Sequence, residues 1–307
     1  MIVYHNGRFL PKDEVYLSPD DRGFLFGDGA YEVVRASKGR LFRAAAHWQR
    51  LQHSLSAIEI QYPTPTEQLD HVAAALLNQN QLAAAEATVY LQVTRGVALR
   101  KHSYPHPPVA TTVYGFAAPF VPPREKCQAG VGVITVPDQR WSRCDLKVIS
   151  LLPNVLANQQ AQAAGAQEAV FVRDGVITEG SHTNFAAVRE GALLTHPESC
   201  VILSGITRRA VLELCDELHV PILEVPLRES ELESVDEAML LGTTSDVMPV
   251  IRINEQQIGV GRPGPVTRRL QQAFHELFTR ETSPNPDSHL EPPNRSRRCE
   301  EADSPEL

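Results

Sequence analysis

The sequence predicts an α+β protein of two domains, on three observations. Residues 1–118 hold two long β-rich runs, TVYLQVT (88–94) and TTVYGFAA (111–118), beside two segments of helical period. That mixture reads as an antiparallel sheet with helices packed against it. Residues 119–125, PFVPPRE, stack prolines without periodicity, which suits a stiff connector. Beyond it, from 126 to 279, strands and helices alternate.

Taken in order, IVYHNGRFLP is a strand, an Asn-Gly turn and a second short strand, the strongest local hairpin signal. Residues 44 to 60 put Trp48, Leu51, Leu55 and Ile58 on one helical face, and 66 to 77 do the same with Leu69, Val72, Ala73, Leu76 and Leu77. The two β-rich runs flank a polar loop, RGVALRKHSYPHPP. In the second half GVGVITV, AVFVRD, TNFAAVR and EAMLLG read as strands, and helices fall at about 154–164, 206–218 and 264–279. The last buries Val266, Leu270, Phe274 and Leu277 at helical spacing. Residues 280–307 are rich in proline, serine and charge, and cannot bury enough apolar area to offset the entropy of ordering, so a disordered tail is expected there.

With 307 residues and 42% hydrophobic content the chain can build a real core. No apolar run approaches the roughly 18 residues a membrane helix needs, and MIVYHNGRF is neither a signal nor a transit segment, so the expected compartment is the cytoplasm, away from membranes. Five scattered cysteines without a CxxC pair argue against disulfides and structural zinc. A formal net charge of -8 argues against nucleic acid, whose phosphates need a basic surface. A small-molecule site is expected instead.

Four short segments carry chemistry: RWSRCDLK ending at Lys147, VITEGSHTN around Glu179, LSGITRR around Thr207 and LGTTSD around Thr243. They offer an amine nucleophile, a carboxylate among small polar residues, a helix N-terminus and a hydroxyl-rich turn. Those are the parts a pyridoxal 5'-phosphate site needs: a Schiff-base lysine, a charge partner for the ring nitrogen and a cradle for the phosphate. Lys147 precedes the apolar VISLL run, so a strand here would press its ammonium toward a desolvated interior, where a lysine turns into a better nucleophile. A strand-end lysine paired with Asp145 would carry the same pattern. Glu179 closes a short strand opened by the Asp174-Gly175 turn, and would serve equally as an exposed turn residue. Gly205-Ile206-Thr207 lies between an apolar VIL strand and the RRAVLELCDEL helix, where free N–H groups receive an anion or a simple N-cap. Thr243 and Thr244 add hydroxyls and amides. Arg50, on the first long helix, adds a fixed guanidinium fork. In RGVALRKH, Arg95, Arg100, Lys101 and His102 form either a carboxylate trap or a solvated turn, and Tyr31 follows a Gly27-Asp28-Gly29 turn.

In that order and spacing, RCDLK, TEGSHTN, GITR and TTSD, together with DRGFLFGDGAYEVV, resemble the fold-type IV pyridoxal-phosphate transaminases over residues 1 to about 279. The loop QVTRGVALRKHSYP narrows the likeness to the D-amino-acid transaminases. The resemblance implies a cofactor in the interdomain cleft, bound covalently by Lys147 and met at its ring nitrogen by Glu179. It implies that Arg50, Ile206, Thr207, Thr243 and Thr244 hold the phosphate and neighbouring ring groups. Tyr31, Arg100 and His102 match an α-carboxylate trap whose arginine and histidine come from the neighbouring subunit, hence a homodimer acting on a small-molecule amino acid and a 2-oxo acid. Branched-chain L-amino-acid transaminases and aminodeoxychorismate lyases share the fold; the former carry a tyrosine five residues after the lysine, where this chain has Leu152. His182 stands where a serine is usual, and Gly242 where a phosphate-side serine is common. Outside that family, a binding module for phosphorylated small molecules is the alternative.

Overall fold

The computed structural model describes residues 1–62 and 64–283; beyond residue 283, the expected tail lies outside the described residues. The opening hairpin forms as predicted, Ile2–His5 against Arg8–Pro11. Both turn residues, Asn6 (φ 46°) and Gly7 (φ 86°), take the left-handed conformation that a tight hairpin with right-twisted strands requires.

This hairpin is one side of a six-stranded antiparallel sheet. In spatial order its strands are Arg8–Pro11, Ile2–His5, Thr112–Pro119, Glu86–Thr94, Gly29–Ser37 and Arg40–Leu41. The helices Ala44–Ala57 and Thr66–Gln79 cover one face, burying Trp48, Leu51, Leu55, Leu69, Leu76 and Leu77 against Ala30, Val34 and Ala36. Alternate residues of a strand share a face, so Glu32 belongs to that same inward set, and it is fully buried.

The second half builds a ten-stranded mixed sheet around a closed circuit of six strands. Asn184–Arg189, Glu237–Gly242, Asp246–Ile253, Val131–Pro137, Glu168–Arg173 and Val176–Gly180 pair in turn, and the circuit returns to its start through Asn184 opposite Glu179. One face of all six contributes to a single core that includes Val133, Val170, Ile177, Phe185, Leu240 and Met248. The alternate face packs on the helices Ile206–Glu217 and Pro265–Thr282 through Ala186, Met239, Val211, Leu214, Leu270 and Phe274. Helix Leu152–Ala163 lies against Phe171 and Val136. Among the described residues no helix is long and apolar enough to cross a membrane.

Four expectations need correction. Lys147 is not on a strand: residues 138–151 form an irregular segment with only Val148 in a bridge, to Ala30. Residues 201–203 are likewise irregular. The connector is shorter than 119–125, because Arg124 already opens a helix, Arg124–Ala129, with two prolines ahead of it pre-setting its first turn. The last helix runs to Thr282, which, one turn after the buried Phe278, extends its buried stripe past residue 279.

Candidate active site

A cleft of about 920 Å³ opens between the two halves, and Tyr31, Arg50, Lys147, Glu179, Ile206, Thr207 and Thr243 all line it. Lys147 reaches it from its irregular segment because the first half grips the backbone on both sides. Tyr31 donates its N–H to the Lys147 carbonyl (3.0 Å), Ile149 donates to Gly29 O (3.1 Å), and Lys147 N–H donates to Ser54 Oγ (3.0 Å). The half-buried ammonium stands 4.3 Å above the centroid of the Tyr31 ring, a cation–π contact. Asp145 pairs with Arg143 at 2.9 Å, so the alternative of a Lys147–Asp145 pair fails. Tyr31 is stacked in turn on Tyr90, and Tyr90 on Phe116, a stack that fixes its ring.

Glu179 is buried, and not the exposed turn residue it could have been. Asn184 Nδ2 and the Leu203 amide donate to Oε2 at 3.0 Å each, and Arg140 Nη1 donates to Oε1 at 2.5 Å. Burial pushes its carboxyl up to about 7, against the lowering influence of the Arg140 charge and the Leu203 amide. Arg140 is itself locked: Asp138 takes its guanidinium bidentately at 2.9 Å and 2.9 Å, and its Cζ lies 4.2 Å over the Phe171 ring. A carboxylate close to neutral pH, open to the cleft and fixed from behind, can share a proton with a ring nitrogen placed before it.

The anion cradle is built from the helix Ile206–Glu217. Its N-cap is Gly205, and no side chain caps it, which leaves the first-turn N–H groups aimed outward. A Cβ on Gly205 would fall 1.9 Å from Asn184 Oδ1, so the residue must be glycine for Asn184 to keep its bond to Glu179. Arg50 stands beside this terminus, donating Nη1 to Ser204 O (2.8 Å). Its other face forms a fork onto Glu32, with Nε to Oε1 at 2.6 Å and Nη2 to Oε2 at 2.9 Å, while His47 Nδ1 lies 2.8 Å from the same Oε2. Burial alone would raise the Glu32 carboxyl; the charges of Arg50 and His47 overcome it and hold Glu32 well below the usual carboxylate range. The same burial lowers His47. An uncapped helix end, a buried guanidinium and a glycine that a side chain would clog fit a phosphate.

The TEGSHTN turn is shaped by a residue that sequence reasoning missed. Glu168 is fully buried, and its Oε1 accepts from the His182 amide (2.8 Å), Thr183 Oγ1 (3.0 Å) and Ser181 Oγ (3.3 Å). His182 remains half-exposed at the cleft wall. Gly242 has a local reason: a Cβ there would lie 2.9 Å from Thr183 Cγ2. Thr244 is exposed and lines a shallower neighbouring pocket with His182 and Ser245 instead of the cleft.

Arg100 and His102 do not line the cleft of their own chain. Both are exposed, with Arg100 Cζ 5.4 Å over the Phe26 ring and His102 edge-on to that ring at 5.7 Å. Arg95 is no part of a carboxylate trap: Asp28 binds it at 2.7 and 3.0 Å and Tyr104 stacks on it, so it anchors the root of the loop. Glu32 and Arg140 were also missed. The signal for Glu32 was present, a charge on the inward parity of GAYEVVRAS, whereas Arg140 opens the RWSRCDLK segment with nothing to mark its partner.

The family described as amino-transferase class IV matches residues 29–253 of this chain, a span that includes Tyr31, Arg50, Lys147, Glu179 and Thr207. The chain belongs to that family of aminotransferases. Among curated relatives, D-alanine aminotransferase of Bacillus licheniformis is 40% identical over 283 residues, 92% of this chain and 99% of that protein. D-alanine aminotransferase of Staphylococcus haemolyticus is 38% identical over 281 residues, with the same coverage. Among solved structures, the branched-chain amino acid aminotransferase of Escherichia coli superposes with a TM-score of 0.84 at 26% identity, covering 94% of this chain and 97% of that one. That of Thermoproteus uzoniensis gives 0.80, also at 26%, over 92% and 95%. Fold type IV and α+β architecture follow.

Proposed function

We propose that this chain is a D-amino-acid transaminase that moves the amino group of D-alanine-type substrates to 2-oxo acids such as 2-oxoglutarate, with pyridoxal 5'-phosphate in the cleft. It works in the cytoplasm as a homodimer of two-domain subunits, joined at about residue 119. The observation that carries the reading is the convergence of Lys147, Glu179 and the uncapped Gly205 helix terminus in one cavity. When bound, the cofactor supplies an electron sink for the carbanion formed at the substrate α-carbon.

This chain's residues divide the remaining work. Lys147 would hold the cofactor covalently, and its amine, when free, would take the substrate α-proton as general base and return it as general acid. Glu179 would keep the ring nitrogen protonated and is oriented for this by Asn184, Leu203 and Arg140. Arg50, Ile206, Thr207 and Thr243 would receive the phosphate, Thr244 facing the neighbouring pocket, and Glu32 fixes the angle of Arg50. The α-carboxylate is taken by Tyr31 together with Arg100 and His102 lent by the second subunit. Exposure of Phe24 (78%) and Leu99 (81%) beside that loop supports an interface there. The same site would serve both half-reactions in turn, amino acid to keto acid and then a second keto acid to amino acid, as a ping-pong cycle requires.

The test pairs D- and L-alanine, and D- and L-glutamate, against pyruvate and 2-oxoglutarate with the purified protein. D-alanine with 2-oxoglutarate is expected to turn over far faster than L-alanine. Preference for the L-enantiomers would instead favour the branched-chain L-amino-acid transaminase reading. Absence of transamination and of a lysine-bound chromophore would leave a phospho-ligand binding module.

A further inference from the structure

A second cavity, of about 630 Å³, lies on the far side of the turn that follows strand Glu237–Gly242. Thr243 of that turn faces the cleft, whereas Asp246 and Val247, directly after it, face the second cavity. Besides Glu86, Asp246 and Val247, its wall comes from the end of strand Gly29–Ser37, the proline connector with the helix Arg124–Ala129, and the helix Pro265–Thr282. At its floor sits Arg35, a side chain only 8% exposed, sandwiched at 4.1 Å over Phe278 and 4.9 Å over Phe120. Arg35 pairs with Glu86 (3.1 Å) and with Asp246.

The charge in the wall is unbalanced. Arg35, Lys38, Arg124 and Arg268 face Glu86 and Asp246, four fixed cations against two carboxylates, with His275 adding a titratable group. Phe274, Phe278 and Val247 supply apolar surface beside them. The size lies in the usual range for a small-molecule pocket, and a buried guanidinium with aromatic faces binds a carboxylate head while the rings take an apolar body.

We propose that this cavity is a second ligand site, for a small organic acid with an apolar body, and that its occupancy loosens the turn bearing Thr243. The path is short and physical. Asp246 holds a left-handed backbone conformation (φ 53°) that a residue with a side chain adopts at a cost, and its ion pair with Arg35 secures it. A ligand carboxylate competes with Asp246 for Arg35. Releasing Asp246 frees the turn, and with it the grip of Thr243 on whatever the cleft holds; by linkage, a filled cleft weakens the second site by the same factor. The coupling, though not the site, rests on the cofactor reading given above.

Phenylacetate, a carboxylate on one aromatic ring, is the probe. Titration calorimetry on the full chain is expected to show one phenylacetate site per chain. Binding weakens about tenfold or more in Lys38→Glu/Arg124→Glu, as loss of one charge-assisted contact does, and is not weakened by Lys147→Ala, which by the same linkage can only tighten it. Both replaced cations are exposed and neither lines the cleft, so the variant folds. Equal affinity in that variant, or no binding to the wild type at millimolar phenylacetate, overturns the site. In parallel, the dissociation constant of pyridoxal phosphate is measured by its absorbance, with and without phenylacetate. It is expected to rise several-fold in the wild type and to stay constant in the double variant; no rise overturns the coupling. A chain that binds no pyridoxal phosphate at all would sink the proposed function and the coupling, while calorimetry still judges the site.

Discussion

Glu179→Gln isolates the one buried carboxyl in the cleft whose proton affinity is raised. Burial brings that carboxyl from its ordinary value of 4.5 up to about 7. A group whose folded pKa lies above its unfolded value adds stability that is fully present below the unfolded pKa and disappears as pH rises through the folded one. At about 1.36 kcal/mol per pH unit, the cofactor-free wild type therefore loses roughly 2.5 kcal/mol from this group between pH 5 and pH 8. The glutamine variant, which cannot titrate, does not. All other ionisable groups are shared, so they cancel in the difference. Urea unfolding of both proteins, freed of cofactor, at pH 5, 6, 7 and 8 is expected to show the wild-type advantage shrinking by that amount. A difference that is flat over this range, or that grows with pH, would refute the reasoning and mean that Arg140 keeps Glu179 ionised throughout. With cofactor present, the same variant should retain the lysine linkage yet slow α-proton removal severely, because a neutral amide cannot hold the ring nitrogen protonated.

Lys147→Ala is expected to abolish transamination while melting within a few degrees of the wild type, since its backbone and not its ammonium makes the hydrogen bonds to Tyr31 and Ser54; near-normal turnover would remove Lys147 from the mechanism. Gly205→Ala drives a Cβ to within 1.9 Å of Asn184 Oδ1; displacing Asn184 leaves Glu179 short of a donor, at about 1–3 kcal/mol, and equilibrium dialysis should report weaker pyridoxal phosphate binding. Arg100→Ala should raise the KM for D-alanine by roughly one to two orders of magnitude, from charge-assisted bonds of about 1.5–3 kcal/mol, and erode the D over L preference; unchanged kinetics would return the loop to solvent. Size-exclusion chromatography with light scattering should give a dimer, and a monomer with full activity would contradict a trap shared between subunits.

The sequence alone determined the elements whose period reports one buried face. The helix expected over 44–60, the strands expected over 88–94 and 111–118 and the Asn6-Gly7 hairpin follow from residues a few positions apart, and the structure has them within a few residues of those bounds. It also singled out the segments bearing Lys147, Glu179 and Thr207, which the structure brings to one cleft. Tertiary structure alone decided what fixes those groups. Glu32 meets Arg50 across 18 positions, Glu179 meets Arg140 across 39, and Arg35 meets Asp246 across 211. No local pattern encodes such pairs; strand register and the closing contact of Asn184 with Glu179 create them. The same holds for Lys147. Its flanking apolar run favours a strand, yet the chain is held irregular there because Gly29, Tyr31 and Ser54, far away in sequence, satisfy its backbone groups better than a neighbouring strand of its own half does.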